Sequence, residues 1–317
     1  MDKILITGAS GFIGTNALAY FARKYNVINL DINAPKDSSW GNFWHKIDIT
    51  DADALRKEVL DFDPDYILHL AARTDIEGKT VEDYDANISG VKNILDAAAQ
   101  LTHLKKIVVA SSMLVCKSGY MPKNQFDYCP TINYGHSKVL TEKITWENEP
   151  KCDWALIRPT SIWGPWFGVP YRNFFDMVKK RMYFHVGHKS CTKTYGFVDN
   201  AVYQIEQILF NDTTDRDNKV FYIGDAPAIN IEEWANQIAS ELGFKVPRVP
   251  YWLLKVAGWV GDPFWKVGIH FPMSSFRLKN MTTDNIINLE NTYRIAPCPP
   301  VGRIEGIKKT LKWMETH

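Results

Sequence analysis

Seven short apolar runs punctuate the first part of the chain, at Ile4–Ile6, Val27–Leu30, Phe43–Ile47, Tyr66–Leu70, Ile107–Ala110, Ala155–Ile157 and Val220–Ile223, with helical stretches between them. This alternation predicts an α/β fold, a doubly wound parallel sheet of Rossmann type covered by helices on both faces. There is no internal repeat of solenoid period and no low-complexity linker. The rhythm breaks from about Gly164 to Thr194 and again after Gly224, where Pro, Trp and Phe become frequent. These stretches form the expected second, smaller lobe. It takes residues 164–194 and 226–317, and the sheet domain takes 1–163 and 195–225.

The turn after the first run reads Thr7-Gly8-Ala9-Ser10-Gly11-Phe12-Ile13-Gly14, followed by a helix to about Arg23. Three glycines thus occupy a strand-to-helix turn. Gly8 suits a tight turn, Gly11 a close approach of backbone to a pyrophosphate, and Gly14 close packing of helix on strand. The helix start, with Phe12 and Ile13, offers free N–H groups and the positive end of a dipole to that anion. About twenty residues on, Asp31 closes the second run, placed to accept hydrogen bonds from the adenosine ribose hydroxyls and to repel a 2′-phosphate. The nearest base is Lys36, so NAD is expected rather than NADP.

Length and composition narrow the classes. At 317 residues the chain can hold a large core and a second lobe. A net charge of +1 with mixed signs supplies no basic field, which argues against DNA or RNA as partner. The five cysteines (116, 129, 152, 191 and 298) have neither metal-ligand spacing nor the density of a disulfide framework. They read as reduced thiols. The N-terminus enters a strand without the regions of a signal peptide, and a cytoplasmic location follows as an expectation.

Further along, Asp48-Ile49 follows the third run. Asp48 either contacts the adenine amino group or caps the helix starting near Ala52. Leu70, Ala71 and Ala72 let the backbone pass close to the cofactor, although small residues also serve packing. Asn87 opens a helix whose Val91, Ile94, Leu95 and Ala98 mark a core or dimer face. Ser111-Ser112 end the fifth run, and Tyr134-Gly-His-Ser-Lys138 follows. Residues four apart share a helix face, so Tyr134 and Lys138 can address one ligand. A tyrosine must fall from about 10 to near 7 to be half ionised at neutrality, roughly 4 kcal/mol. A nearby ammonium and a positively charged nicotinamide have the required sign. His136 lies off that face and reads as a surface residue. His185 and His188 lack a third ligand, so no metal is expected.

Taken together, the chain resembles the extended short-chain dehydrogenase/reductase superfamily, in particular its NAD-dependent epimerase/dehydratase branch of nucleotide-sugar enzymes. The resemblance rests on the glycine turn at 7–14, Asp31, Asp48-Ile49, Leu70 to Ala72, Asn87 with Gly90, Ser111-Ser112, Tyr134 to Lys138, Arg158-Pro159 with Gly164-Pro165, and Phe197 to Asn200. It implies Tyr134 as general acid/base, Lys138 on the nicotinamide ribose lowering the tyrosine pKa, and Ser112 orienting the reacting oxygen. Lys193 stands where many relatives carry a phosphate-binding arginine, the alternative being a solvated charge. Ser161 replaces a usual substrate-contacting asparagine, and Cys116 a common tyrosine. The dehydratases need an acidic pair after the serine, but Met113 and Leu114 follow, and neither can protonate a leaving hydroxyl. A homodimer is common in the family and is expected here.

The stretch from Pro250 to Pro272 is rich in Trp and Phe yet interrupted by charges and glycines, so it is not a bilayer span. It reads as lobe core, or else as an apolar substrate wall or a membrane-surface patch. Ser274 to Arg277, the segment to Asn285 and Arg158-Pro159-Thr160 resemble the hydroxysteroid-dehydrogenase-like branch and place Arg277 among the substrate contacts. The leading expectation is NAD-dependent epimerisation or ketoreduction of a nucleotide-activated sugar through a keto intermediate. The alternative is oxidoreduction of an apolar alcohol or ketone. A dinucleotide sensor without turnover has no need of Ser112, Tyr134 and Lys138.

Overall fold

The computed structural model describes residues 1–212, 218–266 and 274–317, without the side chains of 263–266, 276 and 277. In chain order the elements are β1 (Lys3–Thr7), α1 (Phe12–Phe21), β2 (Asn26–Asp31), β3 (Trp44–Lys46), α2 (Ala52–Phe62), β4 (Tyr66–His69), α3 (Asp85–Ala98), β5 (Lys106–Ala110), α4 (Asn133–Asn148) and β6 (Asp153–Pro159). Then come β7 (Ser161–Trp163), α5 (Tyr171–Lys179), β8 (His185–Val186), β9 (Thr192–Lys193), β10 (Tyr195–Phe197), α6 (Val198–Phe210), β11 (Val220–Ile223), β12 (Ile229–Asn230) and α7 (Ile231–Glu241). The chain closes with β13 (Arg248–Val249), α8 (Tyr251–Lys266), α9 (Ser275–Asn280), α10 (Glu290–Ile295) and α11 (Arg303–Thr316).

Each of the seven apolar runs is a strand of one sheet, in the order β11-β6-β5-β4-β1-β2-β3 among the described residues, and every pairing is parallel. The strand order reverses between β1 and β4. That reversal opens a crevice at their C-terminal ends, where the glycine turn begins. One face of the sheet is covered by α1 and α6, through Leu18, Phe21, Val202, Ile205 and Leu209. The other face carries α2, α3 and α4. Val91, Ile94, Leu95 and Ala98 are all buried there, so their spacing marks core.

A separate aromatic core joins Trp163, Phe175, Phe197, Trp234 and Ile307. Its strands are two or three residues long and pair β7 with β10, β9 with β12 and β8 with β13. The part of the chain after 226 does not all stay in this second core. Helix α10 returns to the sheet, where the Thr292 hydroxyl donates to the Tyr222 carbonyl of β11 at 2.6 Å.

The aromatic stretch departs from the lobe-core expectation. Helix α8 packs against α9 and Val186 through Leu254, but Trp252 and Trp259 face solvent. Neighbours on one side only can bury only one face of a helix. The side chains of Phe264 and Trp265, and Phe271 altogether, lie outside the described residues. Among the described residues no helix is long and apolar enough to cross a membrane.

Candidate active site

The glycine turn is held from both sides. Gly8 has φ +75°, and a Cβ there would lie 2.5 Å from the Ala71 nitrogen. A Cβ on Gly14 would lie 2.2 Å from the Gly8 carbonyl oxygen, so α1 can seat on the turn only without one. Gly11 differs. Its added Cβ meets only the Gly8 oxygen, at 3.2 Å, and otherwise points into open space. That opening lies at the start of α1, where Gly11 caps without a side-chain hydrogen bond and no acidic residue occupies the first turn. The groups present therefore fit a pyrophosphate. The N–H groups of Phe12 and Ile13 stand in that first turn.

The second strand fastens the same turn. The Ala9 N–H donates to Asn29 Oδ1 at 3.1 Å, and Asn29 Nδ2 donates to the Ser10 hydroxyl at 3.1 Å. Asp31 Oδ2 accepts the Ser10 N–H at 3.1 Å and Oδ1 the Asn33 N–H at 2.9 Å. Burial raises the Asp31 pKa against the pull of these N–H groups. Each oxygen keeps a lone pair for a ribose hydroxyl. Lys36 points elsewhere, its ammonium on the Trp166 carbonyl at 3.1 Å.

Asp48 has a local role. Its carboxylate accepts the Thr50 N–H at 2.9 Å and the Thr50 hydroxyl at 2.8 Å, while the cap of α2 is Asp51, which accepts the Ala54 N–H. The capping alternative for Asp48 is thus corrected by three residues, since an N-cap must directly precede the first helical turn. Ile49 is buried beside Gly90. The loop of Leu70, Ala71 and Ala72 lies against Thr7, whose carbonyl accepts the Leu70 N–H at 3.0 Å. Asn87 clamps this loop to the next helix. Its amide accepts the Arg73 N–H at 2.8 Å and donates to the Ser137 hydroxyl at 2.9 Å.

Tyr134 and Lys138 lie buried on α4, and Ser112 is buried just beyond the end of β5. What brings them together is Gly135. A Cβ there would lie 2.4 Å from the Leu114 oxygen, so the turn after Ser112 can press on α4 only at a glycine. Burial pushes Tyr134 up to about 12, and a hydrogen bond with Ser112 pulls it down. Lys138 donates to the Ala110 carbonyl at 2.9 Å; burial brings it down to about 8, while the Glu142 carboxylate one turn on raises it. Burial and the Lys138 charge together hold His69 near 3, a neutral imidazole on the Thr7 hydroxyl at 2.8 Å. The lysine therefore sits beside the residue that opens the glycine turn.

Beneath these groups lies a network with little signal in sequence. Ser111 donates to Glu142 Oε1 at 2.5 Å, Tyr128 donates to Oε2 at 2.9 Å, and Arg158 pairs with both oxygens. The available signal was the i, i+4 spacing of Lys138 and Glu142. Tyr84 was also missed; its ring packs 5.9 Å from that of Tyr134.

A cavity of about 950 Å³ is walled by residues that adjoin Ser112 and Tyr134. Its wall includes Met113 and Leu114, directly after Ser112, together with Ser161, Tyr171 and Lys193. Tyr171 interacts with Ser161 and lies close enough to Tyr134 to raise its pKa. Lys193 is half-buried, donates to the Asn280 carbonyl at 2.8 Å and has a pKa lowered by burial, so it is a wall residue rather than a solvated charge. Cys116 is also on the wall, and the five cysteines are free thiols. The side chain of Arg277 lies outside the described residues. His136 is exposed, and His185 bonds Asn236 at 2.9 Å. Among the described residues no cluster could hold a metal.

Parallel strand order, glycine turn and the Ser112, Tyr134, Lys138 grouping define an enzyme of the extended short-chain dehydrogenase/reductase superfamily. The chain belongs to the NAD dependent epimerase/dehydratase family, whose profile matches residues 4–224. It is similar to the N-acetyl-alpha-D-glucosaminyl-diphospho-ditrans,octacis-undecaprenol 4-epimerase of Escherichia coli O157:H7, 27% identical over 100% of this chain and 96% of that one. It is also similar to a 3 beta-hydroxysteroid dehydrogenase/Delta 5-->4-isomerase of Mycobacterium tuberculosis, 24% identical over 93% of this chain and 84% of that one. The fold matches the UDP-glucuronic acid 4-epimerase of Bacillus cereus, crystallised with UDP-glucuronic acid and NAD. The TM-score is 0.72 at 18% identity, over 99% of both chains.

Proposed function

We propose that this enzyme epimerises a sugar carried on a diphosphate, at the carbon that bears the hydroxyl whose proton Tyr134 takes. The observation that carries the reading is the burial of Tyr134 and Lys138 on one face of α4 against Ser112, beside both the glycine turn and the cavity. Gly11, Phe12, Ile13 and Asp31 hold the cofactor, with Asp48, Leu70 to Ala72 and Asn87 shaping its cleft. NAD, when bound, would supply the hydride acceptor for the carbinol carbon and the hydride donor for the other face of the ketone. Tyr134 takes the hydroxyl proton as the C–H bond breaks and gives it back as the C–H bond re-forms. Ser112 holds the reacting oxygen, and Lys138 favours the phenolate by its charge. Lys193, with Ser161, meets the diphosphate end of the substrate.

The group beyond the diphosphate is a nucleoside on the leading reading. The E. coli relative supports a polyprenyl carrier as the second. Hydroxysteroid-type oxidation is a further alternative, supported by the mycobacterial relative. It differs in leaving the hydride on the cofactor. The test is turnover of a panel of UDP-, GDP-, CDP- and dTDP-sugars and polyprenyl-diphosphate sugars with catalytic NAD, reading product stereochemistry by NMR. Absence of any epimer from every substrate would sink the reading. The second lobe as substrate domain, the homodimer and a cytoplasmic site of action complete the proposal.

A further inference from the structure

Helix α8 turns an apolar face to solvent. Trp252, Leu253, Val256, Trp259 and Val260 are 64, 42, 54, 80 and 49% exposed. Their spacing of i, i+1, i+4, i+7 and i+8 places all five on one side of the helix. The opposite side is the one that packs. Leu254 is buried with Leu278 of α9 and Val186, and a Cβ on Gly258 would lie 3.1 Å from the Ser275 nitrogen. Single exposed apolar residues are ordinary, but five on one helical face with two tryptophans are not.

Charge points to what covers this face. From Lys245 to Asn280 the sequence carries six Lys and Arg and one acidic residue, Asp262. That carboxylate accepts the Ser275 N–H at 2.8 Å in the joint between α8 and α9, and Arg248 is engaged with Glu232. An apolar face containing two tryptophans, with exposed Lys255 on the same helix and a basic segment around it, is the makeup of a helix that lies in a bilayer interface among anionic head groups. A second copy of the chain docked face to face would instead bring the two basic segments together, which is unfavourable. The pair α8–α9 also adjoins the cavity, because Asn280 at the end of α9 lines it and accepts the Lys193 ammonium.

We propose that the exposed face of α8 is a docking surface for a bilayer with anionic head groups, holding the substrate cavity at the membrane. The docking stands apart from the epimerase reading. Its consequence for substrate, a sugar diphosphate on a membrane-embedded carrier, rests on the polyprenyl-carrier form of that reading.

The full-length chain is sedimented with phosphatidylglycerol-containing vesicles and with pure phosphatidylcholine vesicles. The wild type is expected to pellet with the anionic vesicles, and less so as salt rises. The double variant Trp252→Ser/Trp259→Ser is expected to lose about tenfold in partitioning, and Lys255→Glu to lose anionic preference. Unchanged circular dichroism and NAD binding in the variants show that the fold is intact. A wild type that stays in solution with both vesicles, or a double variant that pellets as well as wild type, overturns the proposal. So does a concentration-dependent dimer that the double variant abolishes, since the face then belongs to a second copy. Epimerase activity is assayed separately, without vesicles, on the nucleotide sugars and on detergent-dispersed polyprenyl-diphosphate sugars, so a failure of that reading cannot be mistaken for a failure to dock.

Discussion

Arg158 and Glu142 form a two-point ion pair, Nε to Oε1 at 2.8 Å and Nη2 to Oε2 at 2.7 Å, with side chains only 1% and 0% exposed. The pair joins β6 to α4 directly below Ser111, and Glu142 lies one turn from Lys138. Removing one partner of such a pair leaves a buried charge without its counter-charge. Glu142→Ala is therefore expected to lose about 3–5 kcal/mol of stability. Urea unfolding measures it. A loss below 1 kcal/mol, by the same order-of-magnitude reckoning, would show that the site does not depend on the pair.

The glycine turn separates fold from cofactor binding. An added methyl at Gly14 collides with the Gly8 carbonyl at 2.2 Å, whereas at Gly11 it meets only that oxygen at 3.2 Å. Gly14→Ala should therefore destabilise the protein, and Gly11→Ala should leave it folded while weakening NAD by about 1–3 kcal/mol through overpacking against the pyrophosphate. Thermal melts with and without NAD distinguish the two. A Gly11→Ala protein that binds NAD as the wild type does would mean that the cofactor phosphates lie elsewhere.

Much of this frame was legible in advance because short apolar runs alternating with helical stretches fit a parallel sheet, and all seven became strands. Gly8 and Gly14 were legible through their spacing. Asn29 was not, because its role as clamp on Ala9 and Ser10 appears only when β2 lies beside the glycine turn. Glu142 and Arg158 are sixteen residues apart and met only through the sheet. The break in rhythm after Gly164 and Gly224 gave no sign of the short strands there, since pairs of two or three residues have no period to read. In α8 the mixture of apolar and charged positions allowed either core or surface, and only the packing on α9 chose which side faces out.

Burial holds Tyr134 up at about 12 in the free enzyme. A positive nicotinamide beside the phenol favours its ionised form, so NAD binding lowers this pKa. Between the lowered value and about 12 the complex carries fewer protons than the free enzyme. NAD affinity must therefore rise with pH in that window. Lys138, brought down to about 8, also titrates within this range, so the comparison is made against Tyr134→Phe. That variant should lack the tyrosine's contribution, retain neutral-pH NAD affinity within a few-fold and lose turnover. Equal pH slopes in the two proteins, measured by calorimetry, would separate Tyr134 from the cofactor.

The fate of the hydride divides the remaining readings. Met113 and Leu114 follow Ser112 on the cavity wall, and neither can protonate a leaving hydroxyl, so dehydration of the proposed keto sugar is not expected. That sugar is reduced again in place or released. Reduction in place requires the cofactor to stay bound and to end each cycle oxidised, so an epimerase should purify with NAD and accumulate no NADH during turnover. A dehydrogenase must exchange its cofactor. Ser112, Tyr134 and Lys138 serve both reactions, which is why the site alone does not choose between them. Incubation of the diphosphate-sugar panel with catalytic NAD, following NADH absorbance alongside NMR, makes the choice. The expected result is a mixture of epimers without net NADH. Stoichiometric NADH, or a requirement for added NADH, would remove the epimerase assignment and leave the fold and the site standing.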